Sequence, residues 1–234
     1  MNRDSFNFKH FKISHDRTAM RVGTDGVLLG AWCDLNGAKR ILDIGTGSGL
    51  IAIMLAQRST ADITGLDIEA SAVKQAEENA GKCPWSDRIK IIECDVRTFS
   101  TNEKFELIVS NPPFFETNKN LETNSRIIAR QTITLSHTEL LKAASALLAD
   151  KGTFAVILPA TIKENFIFNA WENGFWLTRC TDVKTSAGKP PKRTLLQFTN
   201  NKTKNIVCNT IVLNDHQGKR TPEYIELTKD FYLK

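Results

Sequence analysis

The 234-residue chain lacks any long apolar run. Its opening, MNRDSFNFKHFK, holds no apolar stretch, and nothing later approaches the ~18 consecutive apolar residues of a membrane span. Neither a signal peptide nor a membrane anchor is expected, and the natural setting for such a chain is the cytoplasm. Cysteine is sparse: Cys33, Cys83, Cys94, Cys180 and Cys208 form an odd, scattered set without a CxxC pair. That argues against a disulfide framework and against a zinc site, so no metal is expected and the thiols read as reduced packing residues. There is no internal repeat and no low-complexity segment, and nothing calls for an obligate protein partner.

What is present is a 41% hydrophobic composition, enough to fill the core of one domain with modest extensions. The net charge of +5 is uneven. Residues 1–40 carry 7 basic and 4 acidic groups, residues 178–234 carry 11 and 5, and the middle, 41–177, carries 13 and 17. Basic ends around a slightly acidic centre suit a polyanion held at the flanks, with solvated surface lysines as the competing reading.

From residue 40 apolar runs of strand length (40–45, 62–67, 89–93, 105–110 and 152–158) alternate with segments of helical period. This predicts an α/β fold, a mostly parallel sheet with helices on both faces. Helices are expected over 48–58, 70–80 and 162–173, and a further one opened by a capping box at Ser136 and Glu139 and ending near residue 150. Residues 115–134 read as a mobile loop at the functional edge of the sheet. Runs 175–182 and 194–199, joined by SAGKPPKR, predict an antiparallel hairpin closing the sheet edge. Residues 1–39 declare no regular structure beyond an apolar turn around 27–32. They are taken as an extension preceding a domain of residues 40–234.

The strongest local signal is Ile41-Leu42-Asp43-Ile44-Gly45-Thr46-Gly47-Ser48-Gly49, a strand running into a glycine-rich turn and then a helix. The dinucleotide fingerprint GxGxxG would need glycine where Leu50 stands; the spacing here is GxGxG. Asp43, just ahead of Gly45, would repel a pyrophosphate yet attract an ammonium, which favours an aminoacyl nucleoside. Asp67 ends the second strand near the ~20-residue offset at which an acid meets ribose hydroxyls. Asp95 follows the third strand at the same edge, able to accept from an adenine amino group, a plain turn aspartate being the alternative.

Asn111-Pro112-Pro113-Phe114 directly follows the fourth strand, beside the expected cofactor. Two prolines fix φ and lack N–H donors, so the turn is stiff and its carbonyls are free. A planar NH2 bound by the Asn111 side-chain oxygen and the Pro112 carbonyl donates both hydrogens and is held in line with a methyl sulfonium. Phe114 offers a face on which an acceptor base stacks.

These residues resemble the class I S-adenosylmethionine-dependent methyltransferases of the amino-methylating NPPY/F type. More closely, the chain resembles the bacterial enzymes that N6-methylate the adenine 3′ of the anticodon in a valine tRNA. The resemblance covers FNFKHFKISHDRTAMRVGTDGVLLGAW, DIGTGSGLIAIMLAQR, SNPPFF, KPPKRTLLQF and YIELTKDFYLK. It implies a Rossmann-like seven-stranded sheet and catalysis by Asn111, Pro112, Pro113 and Phe114. It also implies S-adenosylmethionine binding by Asp43, Gly45, Thr46, Gly47, Gly49, Asp67, Ile68, Asp95, Val96 and Asn111, with Thr24 and Asp25 approaching the methionine end.

A tRNA substrate, met at its anticodon stem-loop, must present a splayed adenine. Lys9, Lys12 and Arg17 near the start and Lys189, Lys192 and Arg193 in the hairpin turn are the groups expected on phosphates. Methylation of a guanine in ribosomal RNA or of adenine in DNA uses the same chemistry and stays open. Methylation of a release-factor glutamine fits less well, because those enzymes carry a sizeable helical amino-terminal domain that 39 residues cannot provide. A non-catalytic nucleic-acid binder would show decay at Asn111, Pro112 or the glycines, and none is seen.

Overall fold

Why the middle of the chain folds as it does is plainest from its central strands 40–44 and 105–110, which are covered on both faces and therefore read as near-continuous apolar runs. A computed structural model describes residues 4–18, 21–113 and 135–233. Its principal sheet is built from β3 (Arg40–Ile44), β4 (Asp62–Asp67), β5 (Ile89–Glu93), β6 (Phe105–Ser110), β7 (Leu148–Pro159), β8 (Trp176–Ser186), β9 (Arg193–Thr199) and β10 (Val207–Asn214). The spatial order is β10-β8-β9-β7-β6-β3-β4-β5, and β9 alone runs antiparallel to its neighbours. A small antiparallel hairpin, β1 (Ser5–Asn7) with β2 (Lys12–Ser14), stands apart from it.

Helices cover both faces. On one lie α1 (Thr24–Trp32), α2 (Leu50–Arg58), α3 (Ala70–Gly81) and α6 (Pro222–Thr228). On the other, α4 (His137–Leu147) and α5 (Lys163–Glu172) enclose a core of Phe154, Phe166, Phe175 and Phe198. Helix α4 opens on the expected capping box: the Ser136 side chain accepts from the Glu139 N–H, and the Glu139 carboxylate accepts from the Ser136 N–H.

Three expectations are corrected. The sheet has eight strands, not seven, and the β8–β9 hairpin does not close its edge. The uncharged run 205–214, rich in β-branched residues, adds β10 parallel to β8 with Val207 opposite Arg179. Second, residues 24–32 form a helix rather than a turn. Every side chain of α1 from Gly26 to Trp32 is buried, and a helix apolar all round shows no amphipathic period. Gly30 lets it sit close on α2, since a Cβ there would lie 2.9 Å from Met54 Sδ. Third, the fourth predicted helix stops at Leu147, because Leu148 already pairs with Phe105 and a bulge follows before Leu107 meets Thr153.

The amino-terminal hairpin packs Phe8, Phe11 and Ile13 into the core and is also tied to the rest through a buried amide. Asn79 on α3 donates to the carbonyls of Ser14 and Ser48, both at 2.8 Å, and accepts from the Ser14 N–H at 2.9 Å. No helix among the described residues is long and apolar enough to cross a membrane.

Candidate active site

The chain order of the sheet reverses at β3, with β4 on one side and β6 on the other, and ligands of open α/β sheets bind outside the carboxyl ends of the strands at such a point. The last residues of these two strands, Ile44 and Ser110, are register partners. The buried Ser110 hydroxyl donates to the Ile44 carbonyl at 2.9 Å, stitching the strand ends together just before Gly45 and Asn111 leave them.

Gly45, Gly47 and Gly49 take φ of 72°, 56° and 79°, a region that L side chains enter only with strain. A Cβ at Gly45 or Gly47 would meet nothing within 4 Å, so the turn faces open space, whereas one at Gly49 would press on Ala76 of α3 at 3.3 Å. Four amides of the turn are already engaged. Those of Gly45 and Thr46 donate to the Leu66 carbonyl, that of Gly47 to Asp67 Oδ2 at 2.8 Å, and that of Gly49 to the Thr46 carbonyl. A phosphate cradle needs free N–H groups aimed at its oxygens. This turn spends four of them internally, and its shape suits a ligand that is apolar or cationic where it passes the glycines.

Asp43 lies fully buried at the end of β3. Its Oδ2 accepts from Thr46 Oγ1 at 2.7 Å and from the Ala52 N–H at 3.2 Å, which braces the turn, while Oδ1 has no hydrogen-bond partner. Burial pushes its pKa up to about 7, against the pull of those two donors. Asp67, half-buried at the end of β4, accepts from the N–H groups of Gly47 and Glu69 on its two oxygens, and the adjacent Ile68 is 45% exposed, an apolar face open to a ligand ring. Asp95, beyond β5, is gripped by Arg97: Nε lies 3.0 Å from Oδ1 and 2.8 Å from Oδ2, and Nη2 lies 2.5 Å from Oδ2. Val96 between them turns into the core.

Asn111 Oδ1 is a buried oxygen without a hydrogen-bond partner at the head of the two prolines. An orphaned acceptor of this kind is costly unless a ligand satisfies it. Phe114 and the expected loop 115–134 lie outside the described residues.

The groups expected on RNA divide between the two ends of the sheet. Arg193 pairs with Pro159, the last residue of β7, which places the turn bearing Lys189 and Lys192 at the carboxyl edge with Gly45 and Asn111; both lysines are exposed. Arg193 also donates from Nε to Asp25 Oδ2 at 2.7 Å, and so meets the first turn of α1 beside Thr24. Lys9 and Lys12 belong instead to the β1–β2 hairpin, whose Phe11 packs on Trp85, next to the 3-10 turn that leads into the start of β5 at the opposite edge. Lys9 Nζ donates to the Lys229 carbonyl, and Arg17 bonds Glu78 at 2.6 Å.

Sequence reasoning missed Ser110, Arg97 and Asn79. Their partners are remote in the chain or, for Arg97, set by side-chain geometry, and no local spacing announces them.

The fold, the phosphate-averse glycine turn and the orphaned amide beside it define a class I S-adenosylmethionine-dependent methyltransferase. Residues 23–171 match the family model described as methyltransferase small domain. Among solved structures, a predicted O-methyltransferase from Agrobacterium tumefaciens superposes with a TM-score of 0.69 at 18% identity, covering 88% of this chain and 96% of that one. The N-methyltransferase NodS of Bradyrhizobium japonicum, solved with S-adenosyl-l-homocysteine, gives 0.53 at 21% identity over 75% of this chain and 84% of its own. Curated relatives are far nearer in sequence. The tRNA1(Val) (adenine(37)-N6)-methyltransferase of Phocaeicola vulgatus is 46% identical over 97% of both chains, and that of Trichodesmium erythraeum is 45% identical over the whole of both. The chain belongs to this family of tRNA1(Val) (adenine(37)-N6)-methyltransferases.

Proposed function

We propose that the chain methylates the exocyclic nitrogen of adenine 37 in tRNA1(Val), the reaction for which its relatives are named. The observation that carries this is the unpartnered Asn111 Oδ1 at the switch point, one step beyond the Ser110–Ile44 stitch. That oxygen and the Pro112 carbonyl accept the two hydrogens of a flat amine, which orients the nitrogen lone pair toward the glycine turn. S-adenosylmethionine supplies a methyl group on a sulfonium. Asp67 takes the ribose hydroxyls, Asp95 the adenine amino group, Ile68 and, through its backbone, Val96 flank the base, and Asp43 Oδ1 meets the ammonium directly or through water, near Thr24 and Asp25. No general base is required, since the nitrogen loses its proton only after it has become cationic.

The anticodon stem-loop lies across the carboxyl edge, with Lys189 and Lys192 on phosphates, and Phe114 stacks on the splayed adenine. Lys9, Lys12 and Arg17 reach a more distant part of the same polyanion. Residues 1–39 serve as an extension that completes the cofactor site of a domain formed by 40–234, and the enzyme works in the cytoplasm. The test is incubation with labelled S-adenosylmethionine and total tRNA from a strain lacking the enzyme, followed by nucleoside mass spectrometry and mapping. N6-methyladenosine at position 37 of tRNA1(Val) is expected. Label in a guanine, in protein or in no tRNA overturns the assignment.

A further inference from the structure

The network around Asp95 goes beyond a single acid at a strand end. Arg97 lies side-on to the carboxylate, its Nε and Nη2 reaching both oxygens at 2.5–3.0 Å, while its own backbone N–H donates to Oδ1 at 2.9 Å. The third arm of the guanidinium, Nη1, reaches Glu139 Oε1 at 3.2 Å. The other oxygen of Glu139 accepts from the N–H and the hydroxyl of Ser136, at 2.8 and 2.7 Å, in the cap of α4. One planar cation therefore fixes two carboxylates on separate elements.

We propose that Arg97 is a positioning residue for the cofactor: it locks the Asp95 carboxylate in the one orientation that accepts the adenine amino group and anchors that acid to the cap of α4. A carboxylate offers about four lone-pair directions, and the side-on fork with the backbone N–H leaves an acceptor direction open for a ligand. A free aspartate at a strand end samples several rotamers, and the ligand would have to select one; the fork removes that cost in advance. The Arg97 guanidinium beside it also holds the Asp95 carboxyl below its ordinary range, so the acceptor stays charged. Lysine cannot replace the fork, being a point charge without planar geometry.

The inference rests on Asp95 meeting the adenine amino group. It is tested by calorimetric binding to the full chain of S-adenosylhomocysteine and of S-inosylhomocysteine, in which a carbonyl replaces that amino donor. Wild type is expected to prefer the first. In Arg97→Gln the affinity for S-adenosylhomocysteine is expected to fall about ten- to hundredfold, the cost of a charge-assisted bond, with little change for the inosyl ligand, so that the preference collapses. Arg97→Lys should fall between the two. The KM for S-adenosylmethionine should rise while kcat at saturating cofactor stays within about twofold. Equal weakening of both ligands would mark a merely structural residue, and unchanged preference in Arg97→Gln would overturn the role; either sinks the inference while tRNA methylation stands. A wild type indifferent to the two ligands would remove the adenine contact itself, and with it the inference, whatever the outcome of the tRNA assay.

Discussion

Arg193 Nε donates to Asp25 Oδ2 across 2.7 Å, joining the first residue of β9 to the first turn of α1 from 168 residues away. An arginine expected on RNA thus also holds the acidic start of the helix proposed to approach the cofactor. Arg193→Ala should therefore weaken S-adenosylhomocysteine binding several-fold as well as tRNA binding. Lys192→Ala should weaken tRNA alone and lower the slope of log affinity against log salt by roughly 0.7–0.9, the share of one phosphate contact. Salt titrations of both variants, paired with cofactor calorimetry, separate the two effects.

Asn111→Ala deletes the orphaned acceptor. Transfer to tRNA should drop by about 10²–10³ in kcat, the usual cost of one preorganised polar group at the reacting centre. Cofactor affinity should stay near wild type, and single-turnover kinetics with pre-bound labelled cofactor checks both.

Asp43 gives the site a pH signature. Its folded pKa, about 7, lies above the ordinary 3.8, so its protonated form favours the fold, and that stability, fully present below 3.8, is lost as pH rises through about 7. An ammonium ligand needs the ionised form, so binding expels a proton: affinity should rise with pH up to about 7 and level off above it. Calorimetry of S-adenosylhomocysteine in buffers of different ionisation heat should show proton release at pH 6 and little at pH 8, a difference of one protonation step. Asp43→Asn should bind more weakly and without this pH dependence.

Asn79→Ala leaves the carbonyls of Ser14 and Ser48 without their shared donor in a buried place. A loss of about 1–3 kcal/mol in unfolding free energy is expected. Denaturant melts should show it, and limited proteolysis should cut first within the β1–β2 hairpin.

Much of the fold could be read from the chain itself. Strands 62–67, 89–93 and 105–110 match β4, β5 and β6 residue for residue; β6 does so because a strand covered on both faces is apolar nearly throughout, and the other two because short apolar runs of strand length stand out between polar, helix-period segments. The same rule hid α1, whose uniformly buried TDGVLLGAW carries no period to count. The extra strand β10 escaped because its partner, β8, lies beyond a hairpin and an intervening turn, and pairing across such a distance leaves no local mark. In the site, the glycines, Asp67 and Asn111 stood out by spacing from a strand end. Arg97 did not, since its importance lies in the direction of three nitrogens toward two acids.

The inward-turned amides of the glycine loop bear on the company this enzyme keeps. ATP carries the same adenosine half as the methyl donor, and both would meet the acids at the ends of β4 and β5 that are proposed to hold it. A triphosphate reaching past Gly45 would find the amides of Gly45, Thr46, Gly47 and Gly49 already given to other acceptors of the chain, and a buried carboxylate behind them. Weaker binding of the nucleotide than of the methyl donor is the expected consequence of how the turn satisfies its own backbone.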